Sequence, residues 1–357
     1  MKTFSLPSIL LIAAALGAGA GIIGTVGTQI YLSNYSVSLE NFAGPINLTG
    51  EHEFKEPQNF NEAINLVQEN LLPASVEIFA RTSSGLYEPG QGQASGFFIT
   101  SDGWLVTANS KFISSQVTSL VVVVNNQIFL VEKTLVDQAT KITFLKINAS
   151  NLPVVSLSNF VLPQPGDNLF ITPASDSLIS SSLLRLVDIN DQSRAAESTG
   201  RRFLLNDSFD TKLAGSAVAN SFGEVVGILL PETSGTSSTV LPLTAIRPAI
   251  YSLLKEGQIK TFLFGANVTN IQKAVGLPES ETRGHWYGEI MESVLADGPA
   301  ASAGLKKDDI ILDVGGVALA GFFLDELLAD YHPGETVSLT IDRAGVEQKV
   351  EVVLGTR

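Results

Sequence analysis

The sequence predicts a mainly β protein with an apolar helix at its N-terminus and a small α+β module at its C-terminus. Short apolar runs separated by turn residues fill positions 75–243, and many short strands at near-regular spacing are typical of a β-sandwich or barrel. One long uncharged run lies near the N-terminus, and two alternating runs close the chain. Of the 357 residues, 45% are hydrophobic and 16% are charged, a composition that supports a packed core.

The first 32 residues predict a single-pass membrane anchor. The run Ile9–Ile30 is almost wholly apolar, and as a helix it spans about 33 Å, enough to cross a bilayer core of about 30 Å. Lys2 precedes the run and Glu40 follows it, so the positive-inside rule places the N-terminus in the cytoplasm and the bulk outside, in the periplasm or at the cell surface. A cleaved signal peptide ending at Ala18-Gly19-Ala20 is the competing interpretation.

Composition excludes several classes of function. The net charge of −14 argues against a nucleic-acid partner, because phosphate neutralisation needs a basic surface. The absence of cysteine excludes disulfides, thiolate zinc sites and cysteine nucleophiles. We expect no metal and no cofactor. Asp308-Asp309 is interpreted as a solvated turn, and the lone histidine in His285-Trp286-Tyr287 as an ordinary polar residue.

The polar segment 33–58 is interpreted as a tether, and a helix is expected after it. Apolar residues recur with helical spacing from Phe60 to Leu71, Asn59 is a good N-cap, and Pro73 ends the pattern. Strands follow up to residue 243, interrupted by a Ser-rich and then charged stretch, Ser175–Arg202, where we expect a long surface loop. A helix is predicted at 244–255 with Gly257 as its C-cap.

The segment 259–357 is predicted as a compact module of usual domain size. It carries strands, a short helix at 322–329 and a closing hairpin. Val337, Leu339 and Ile341 alternate with polar residues, as do Val350, Val352 and Leu354, and "DRAG" at 342–345 forms the turn between them.

Several phrases in this order resemble one known family. They are "ASGFFITSDGWLVTAN" (94–109), "ITFLKI" (142–147), "RFLLND" (202–207), "NSFGEVVGI" (220–228), "LPLTAIRPAIYSLLKEGQI" (241–259), "GPAASAGLKKDDIILDVGG" (298–316) and "PGETVSLTIDRAG" (333–345). The chain resembles the HtrA/Deg group of extracytoplasmic serine proteases. The resemblance implies a trypsin-like double β-barrel over 59–258 and a PDZ domain over 259–357.

The catalytic residues of that family are all substituted at the matching positions. Ser110 stands where the histidine follows Thr-x-Asn, Lys141 stands at the aspartate position, and Ala214 is reached by counting back from Gly223 to the nucleophile. Counting forward from "RFLLND" gives Gly215 instead. A triad needs a serine, a histidine that takes its proton, and an aspartate that orients the histidine. The three histidines of the chain, His52, His285 and His332, all lie outside the predicted barrels.

These substitutions predict a catalytically degenerate member of the family, with no catalytic residue of the usual type. A working serine endopeptidase with another arrangement is the alternative. Its nucleophile would be Ser216, close to the lost position, or Ser110 paired with Lys141, since Ser–Lys pairs are a known variant of triad chemistry. A catalytic lysine requires burial that favours its neutral form.

The C-terminal module keeps the features of a peptide-binding domain. In the family, an apolar loop around a glycine presents backbone N–H groups to a peptide C-terminus, which adds as a strand beside it. The matching residues are Leu263, Phe264, Gly265 and Ala266, with Leu327 on the flanking helix. We therefore expect a peptide- or protein-binding scaffold or regulator in protein quality control, whose partners are peptide C-termini or unfolded segments. The resemblance also implies trimers, alone or mixed with active HtrA-type proteases.

Overall fold

The computed structural model describes residues 57–108, 119–124, 127–158, 162–173, 178–188, 194–231 and 237–357. The chain divides into two compact units, 1–45 and 46–357, and every described residue belongs to the second. The predicted anchor, residues 1–32, and nearly all of the tether lie outside the described residues. Within the described ranges, no helix is long and apolar enough to cross a bilayer.

Helix α1 (Phe60–Leu71) begins as the sequence predicts. The Asn59 side chain accepts a hydrogen bond from the Glu62 N–H at 3.0 Å, and the Glu62 carboxylate accepts one from the Gln58 N–H at 2.8 Å. The Glu62 N–H of the first turn and the Gln58 N–H just before the N-cap are thereby satisfied. A 3₁₀ turn at Leu72–Ala74, which contains the predicted terminating proline, leads into the first barrel.

The first barrel is a closed antiparallel sheet of six strands. They are β1 (Ser75–Ala80), β2 (Ala94–Phe98), β3 (Trp104–Thr107), β4 (Leu120–Val124), β5 (Gln127–Val136) and β6 (Thr143–Ile147). Their order is β1-β2-β3-β6-β5-β4, and β4 pairs back onto β1. Inward side chains such as Val76, Ile78 and Leu145 fill the interior, because alternate residues of each strand face inward in a small barrel.

The second barrel repeats the six-stranded closed arrangement. The strands of this part of the chain are β7 (Ser156–Leu157), β8 (Asn168–Thr172), β9 (Ile179–Asp188), β10 (Arg194–Ala195), β11 (Arg201–Leu205), β12 (Ala217–Ala219), β13 (Glu224–Leu229) and β14 (Thr239–Pro242). The order is β12-β8-β9-β11-β14-β13, closed by pairing of β12 with β13. Strand β7 pairs with β13 in parallel. Strand β10 lies outside the barrel, because its pairing partner belongs to the C-terminal domain.

The stretch Ser175–Arg202, expected to include a long surface loop, is strand over half of its length, so that expectation is wrong for β9, β10 and the start of β11. Strand β9 is ten residues long and pairs with both β8 and β11. The three consecutive serines, 180–182, favour a loop by composition, but backbone ladder bonds do not depend on the side chain, and pairing with a strand on each side overrides that preference.

Helix α2 (Leu243–Glu256) follows the second barrel and matches the predicted helix to one residue at each end. Gly257 adopts the left-handed conformation (φ 68°), and its N–H bonds to the Leu253 carbonyl, which confirms the predicted C-cap. Helices α1 and α2 pack on a single apolar cluster that includes Phe144 of one barrel and Phe170 of the other. Both helices therefore pack where the two barrels meet.

The C-terminal domain is built on a mixed set of short elements. They are β15 (Phe262–Leu263), β16 (Ala266–Asn270), α3 (Glu279–Thr282), β17 (Glu289–Val294), α4 (Pro299–Ser302), β18 (Ile310–Val314), β19 (Val317–Ala318), α5 (Leu324–Leu328), β20 (Thr336–Arg343), β21 (Val346–Val353) and β22 (Gly355–Thr356). The main sheet runs β10-β16-β17-β18-β20-β21, with β19 beside β18. The predicted closing hairpin is confirmed as β20 and β21, which pair along their full length.

The barrels and the C-terminal domain touch through α2 as well as through β10. The rings of Tyr251 and His332 stack with centroids 3.8 Å apart, and Arg247 lies 3.1 Å from the Asp330 carboxylate. Strand β10 belongs to the barrel segment in sequence but to the sheet of the C-terminal domain in space.

Candidate functional site

The turn before β12 contains Ala214 and Gly215, the two residues that the sequence registers offer for the family's nucleophile position. Ala214 is 1% exposed, and its carbonyl oxygen accepts a hydrogen bond from the Ser95 N–H of β2 at 3.0 Å. The turn therefore lies at the junction of the two barrels. It presents a methyl group there, which has no hydroxyl to attack a carbonyl.

Gly215 explains why this turn approaches the first barrel so closely. Its φ is +91°, a left-handed conformation that favours glycine. A Cβ at this position would overlap the Ser95 carbonyl oxygen and the Thr107 hydroxyl, and would lie 2.9 Å from the Ala108 nitrogen. The turn thus packs against the end of β3, the strand that leads toward Ser110.

The backbone donors of the oxyanion hole are already used within the turn. In serine proteases these donors are the N–H of the nucleophile and that of the residue two positions earlier, which correspond here to Ala214 and Lys212. The Lys212 N–H donates to Asp210 Oδ1 at 2.8 Å, and the Ala214 N–H donates to the Thr211 carbonyl at 3.1 Å. Both bonds belong to a 3₁₀ turn at Thr211–Leu213 capped by Asp210, so neither donor is directed at a ligand.

Lys141 lies in solvent, just before β6. Its backbone is left-handed (φ 63°), and its Nζ donates to Gln138 Oε1 at 3.1 Å. The buried carboxylate of this loop is Asp137, which accepts bonds from the Ala139 N–H at 3.0 Å and the Thr140 N–H at 3.3 Å. Lys141 therefore lacks the burial that the Ser–Lys alternative requires.

The two candidate serines differ in what the structure describes. Ser216 is fully buried, and its Oγ has no hydrogen-bond partner in the described part of the chain. Its N–H donates to the Leu213 carbonyl, and its own carbonyl accepts from the Leu229 N–H. The hydroxyl is thus shielded from solvent. Ser110 falls in 109–118, outside the described residues.

The loop that matches the family's peptide-binding motif joins β15 to β16. We use the term groove for the space beside β16 that segment 194–197 fills, where it pairs with β16 and contacts Asp325 of α5. Gly265 is left-handed (φ 80°), and Phe264 before it is fully buried in the core of the domain. On α5, Leu324 and Leu328 are core residues, whereas Leu327 is half-buried. Leu263 lies in β15, which pairs with β22, and Ala266 opens β16.

The groove is occupied by the chain itself. Strand β10 pairs antiparallel with β16, with Arg194 opposite Val268 and Ala195 opposite Asn267. The next residue, Ala196, donates its N–H to the Ala266 carbonyl at 2.8 Å. Glu197 then places Oε2 3.4 Å from the Gly265 nitrogen.

Arg194 anchors this segment in a buried charge cluster. Its Nη2 lies 2.7 Å from Glu289 Oε1, and its Nη1 lies 2.9 Å from Asp325 Oδ1. Burial lowers the pKa of Arg194, but the two carboxylates raise it by more, so the pKa lies above its usual value. Burial raises the pKa of Asp325 to about 7, against the lowering effect of Arg194. Glu289 Oε1 also accepts bonds from the Asn270 side chain and the Leu324 N–H, both at 3.2 Å.

A second arginine, Arg201, forms an ion pair with helix α5. Arg201 pairs with Glu326 at 3.0 Å, and the guanidinium carbons of Arg194 and Arg201 lie 4.8 and 5.5 Å from the ring centroid of Phe323. Sequence reasoning missed this cluster and the segment 194–197. The only feature of the sequence that pointed to them was the charge in Ser175–Arg202, a stretch whose composition favours a surface loop.

The remaining polar candidates have structural partners. His285 Nε2 lies 3.3 Å from the Asp342 carboxylate, and Asp309 pairs with Arg343 at 2.6 Å. Asp308 occupies an exposed left-handed turn position, but Asp309 is 1% exposed, so the interpretation of this pair as a solvated turn is wrong for Asp309. Across the described ranges, no group of three or more metal-ligating side chains converges.

Comparison with known proteins agrees with this architecture. The PDZ domain family matches residues 264–354. A probable periplasmic serine endoprotease, DegP-like, of Pseudomonas fulva is 25% identical over 99% of this chain and 76% of its own length. Serine endoprotease DegS of Haemophilus influenzae is 23% identical over 83% of this chain and 87% of its own length. Among solved structures, the HtrA-type protease AlgW with a decapeptide covers 83% of this chain and 98% of its own, with 18% identity and a TM-score of 0.59.

The fold is a pair of six-stranded barrels joined to a PDZ domain, the architecture of the HtrA-type structure AlgW. The chain is similar to serine endoproteases of the HtrA/Deg type. Several other DegP-like relatives, from Ectopseudomonas, Pseudomonas and Marinomonas, are covered over only 56–60% of their length.

Proposed function

We propose that the chain is a membrane-anchored HtrA-type pseudoprotease, which binds protein C-termini or unfolded segments as a scaffold or regulator of extracytoplasmic protein quality control. The observation that carries this proposal is the turn at Ala214. Ala214 has no hydroxyl, and the N–H groups of Lys212 and Ala214 are bonded within the turn. The chain also has no histidine between His52 and His285 to act as the base.

Two features count against the alternative of a working endopeptidase. The Ser216 hydroxyl is fully buried, and a nucleophile must reach the substrate carbonyl. The Lys141 side chain is exposed and bonded to Gln138. Loss of a complete triad lowers kcat by about 10⁶, so a typical value of about 10 s⁻¹ would fall to about 10⁻⁵ s⁻¹.

The extracytoplasmic location is supported by the periplasmic relatives and by the apolar run Ile9–Ile30. Peptide binding is supported by the PDZ match and by AlgW, whose structures hold a decapeptide or a tripeptide. Homotrimers or mixed trimers with active HtrA-type proteases are part of the proposal, from the resemblance. Native mass spectrometry of the detergent-solubilised chain, alone and with an active relative, tests the assembly.

The decisive experiment is an assay for proteolysis by the full chain in mild detergent. An unfolded protein substrate and a fluorophosphonate probe are offered to the wild type and to Ser216→Ala, Ser110→Ala and Lys141→Met variants. We expect no cleavage and no labelling over a day in any of them. Cleavage by the wild type that disappears in one of the variants would overturn the pseudoprotease proposal and identify the residue responsible.

A further inference from the structure

Residues 194–197 are placed in the PDZ groove as a bound peptide would be. An extended peptide binds such a domain by adding a strand at the sheet edge, with its C-terminal carboxylate captured by backbone N–H groups. Strand β10 adds antiparallel to β16, and the Glu197 carboxylate lies at the Gly265 N–H. The side-chain carboxylate of Glu197 thus stands in for the terminal carboxylate of a ligand.

The side chain before that carboxylate enters the apolar end of the groove. Ala196 is fully buried and belongs to the same core cluster as Phe264 and Leu328. A methyl group occupies this space, and interiors packed to normal density do not accept a much larger side chain without rearrangement. The groove therefore fits a small residue at the end of a peptide.

The peptide position that Arg194 occupies, two residues before Ala196, is selective for a cation. Arg194 contacts two carboxylates that are themselves buried, Glu289 with no exposed surface and Asp325 at 7%. If the segment leaves, Glu289 and Asp325 both lose their ion-pair partner, and any charge that they keep stays unpaired in a site shielded from water. Leaving a buried charge unpaired is strongly unfavourable, so a replacing peptide must bring its own cation at that position.

We infer that the groove binds protein C-termini with an arginine two residues before a small last residue, and that segment 194–197 is the internal ligand they displace. This inference rests on the proposed function, since it names the ligand of the scaffold. It commits to a free C-terminal carboxylate, because the loop end of the groove already receives a carboxylate from Glu197.

The test uses the full chain and fluorescently labelled peptides that end in Arg-Ala-Ala, Glu-Ala-Ala, or Arg-Ala-Ala with an amidated terminus. The informative variant is Arg194→Ala, because it empties the charge site without touching β16 or α5. We expect the Arg-Ala-Ala peptide to bind this variant at least about 10-fold more tightly than it binds the wild type, since the internal competitor is weakened. Structural damage would change affinity in the opposite direction.

Peptide selectivity tests the charge site directly. Against the Arg194→Ala variant, the Glu-Ala-Ala peptide should bind about 30-fold or more weakly than Arg-Ala-Ala, the scale for truncating one partner of a buried charge pair. Asp325→Asn should reduce that ratio. The amidated peptide should also bind more weakly. Exposed Arg81 supplies the matched control, since Arg81→Ala should leave all affinities unchanged.

A second variant removes the segment by its backbone. Ala196→Pro deletes the N–H that bonds to Ala266 and should also increase Arg-Ala-Ala affinity. In Ala195→Pro the missing N–H points away from β16, because N–H groups alternate along a strand, and the effect should be smaller.

The outcomes separate the two proposals. Equal binding of the arginine and glutamate peptides overturns the inference and leaves the scaffold role intact. Cleavage of a peptide overturns the pseudoprotease proposal. Lack of binding by every peptide to both folded variants overturns the assignment of the groove as a ligand site.

Discussion

Arg194 and Glu289 lie 95 residues apart in the sequence, and their side chains meet at 2.7 Å with 6% and 0% of their surfaces exposed. The contact joins the insertion between two barrel strands to the central sheet of the PDZ domain. A buried ion pair of this kind is sensitive to the loss of one partner, because the other is then left charged and unpaired.

We expect Arg194→Met to lower the free energy of unfolding by about 3–5 kcal/mol. The double variant Arg194→Met, Glu289→Gln should lose less free energy of unfolding than the sum of the two single losses. The difference, the coupling free energy, should be about 1–3 kcal/mol. Urea denaturation of the four proteins of this cycle gives both quantities. Arg81→Met, at an exposed arginine, should change stability by less than about 0.5 kcal/mol. Additive losses at 194 and 289 would contradict a direct interaction.

Asp325 should make stability depend on pH in a direction opposite to that of ordinary paired carboxylates. Its pKa is about 7 in the folded protein, against a usual value of 3.8. Between about pH 4 and 7 the unfolded chain releases this proton while the folded protein retains it, so raising the pH favours unfolding. Burial dominates this shift, with Glu289 and Glu326 adding to it and Arg194 opposing it.

The difference in unfolding free energy between the wild type and Asp325→Asn isolates this effect. It should fall as pH rises from about 4 to 7, by on the order of 4 kcal/mol for the full shift, and stay constant above pH 7. Denaturation curves at several pH values measure it. A difference that is flat, or that grows with pH, would refute the raised pKa.

Gly215 should tolerate no side chain. Gly215→Ala combines a left-handed backbone with overlap at Ser95 and Thr107, and should cost about 2–5 kcal/mol. Gly90 is the matched control, because it is also left-handed (φ 78°) but has nothing within 4 Å of an added Cβ. Gly90→Ala should cost about 1–2 kcal/mol. Thermal unfolding of both variants decides the point, and equal losses would mean that the close approach is absent.

Restoring the triad alone should not restore an efficient enzyme. The triple variant Ser110→His, Lys141→Asp, Ala214→Ser still has its Lys212 N–H bonded to Asp210. Adding Asp210→Ala removes this acceptor, and a single oxyanion donor is worth about 10²–10³ in kcat. Fluorophosphonate labelling should therefore be at least about 100-fold faster in the quadruple variant than in the triple one. Asp210→Ala alone serves as the unreactive control, and equal labelling of both rebuilt proteins would reject the explanation.

Local patterns in the sequence predicted the elements that depend on local interactions. The cap of α1 at Asn59, the C-cap of α2 at Gly257 and the β20–β21 hairpin all follow from side-chain periodicity and turn residues. Strand β9 was missed because its three serines favour a loop by composition, although its partners β8 and β11 are its neighbours in sequence. Strand β10 was missed because its partner β16 is distant in sequence and arginine does not signal a strand. The burial of Arg194 depends on Glu289 and Asp325, which no local pattern connects to it.

The turn around Ala214 also combines a feature that the sequence predicts with one that it does not. The sequence register places Ala214 at the nucleophile position, but it does not reveal where backbone N–H groups point. Asp210 before Thr211 is a recognisable N-cap signal. Its consequence for the Lys212 N–H emerges only once the 3₁₀ turn is described.

The occupied groove also sets the conditions under which a partner can bind. Strand β10 is held between Asp188, where β9 ends, and Arg201, where β11 begins, so the internal ligand never diffuses away. A short tether corresponds to an effective concentration in the millimolar range. A free peptide at micromolar concentration then competes with an internal rival in about thousandfold excess. The groove will respond mainly to partners that are themselves concentrated beside it.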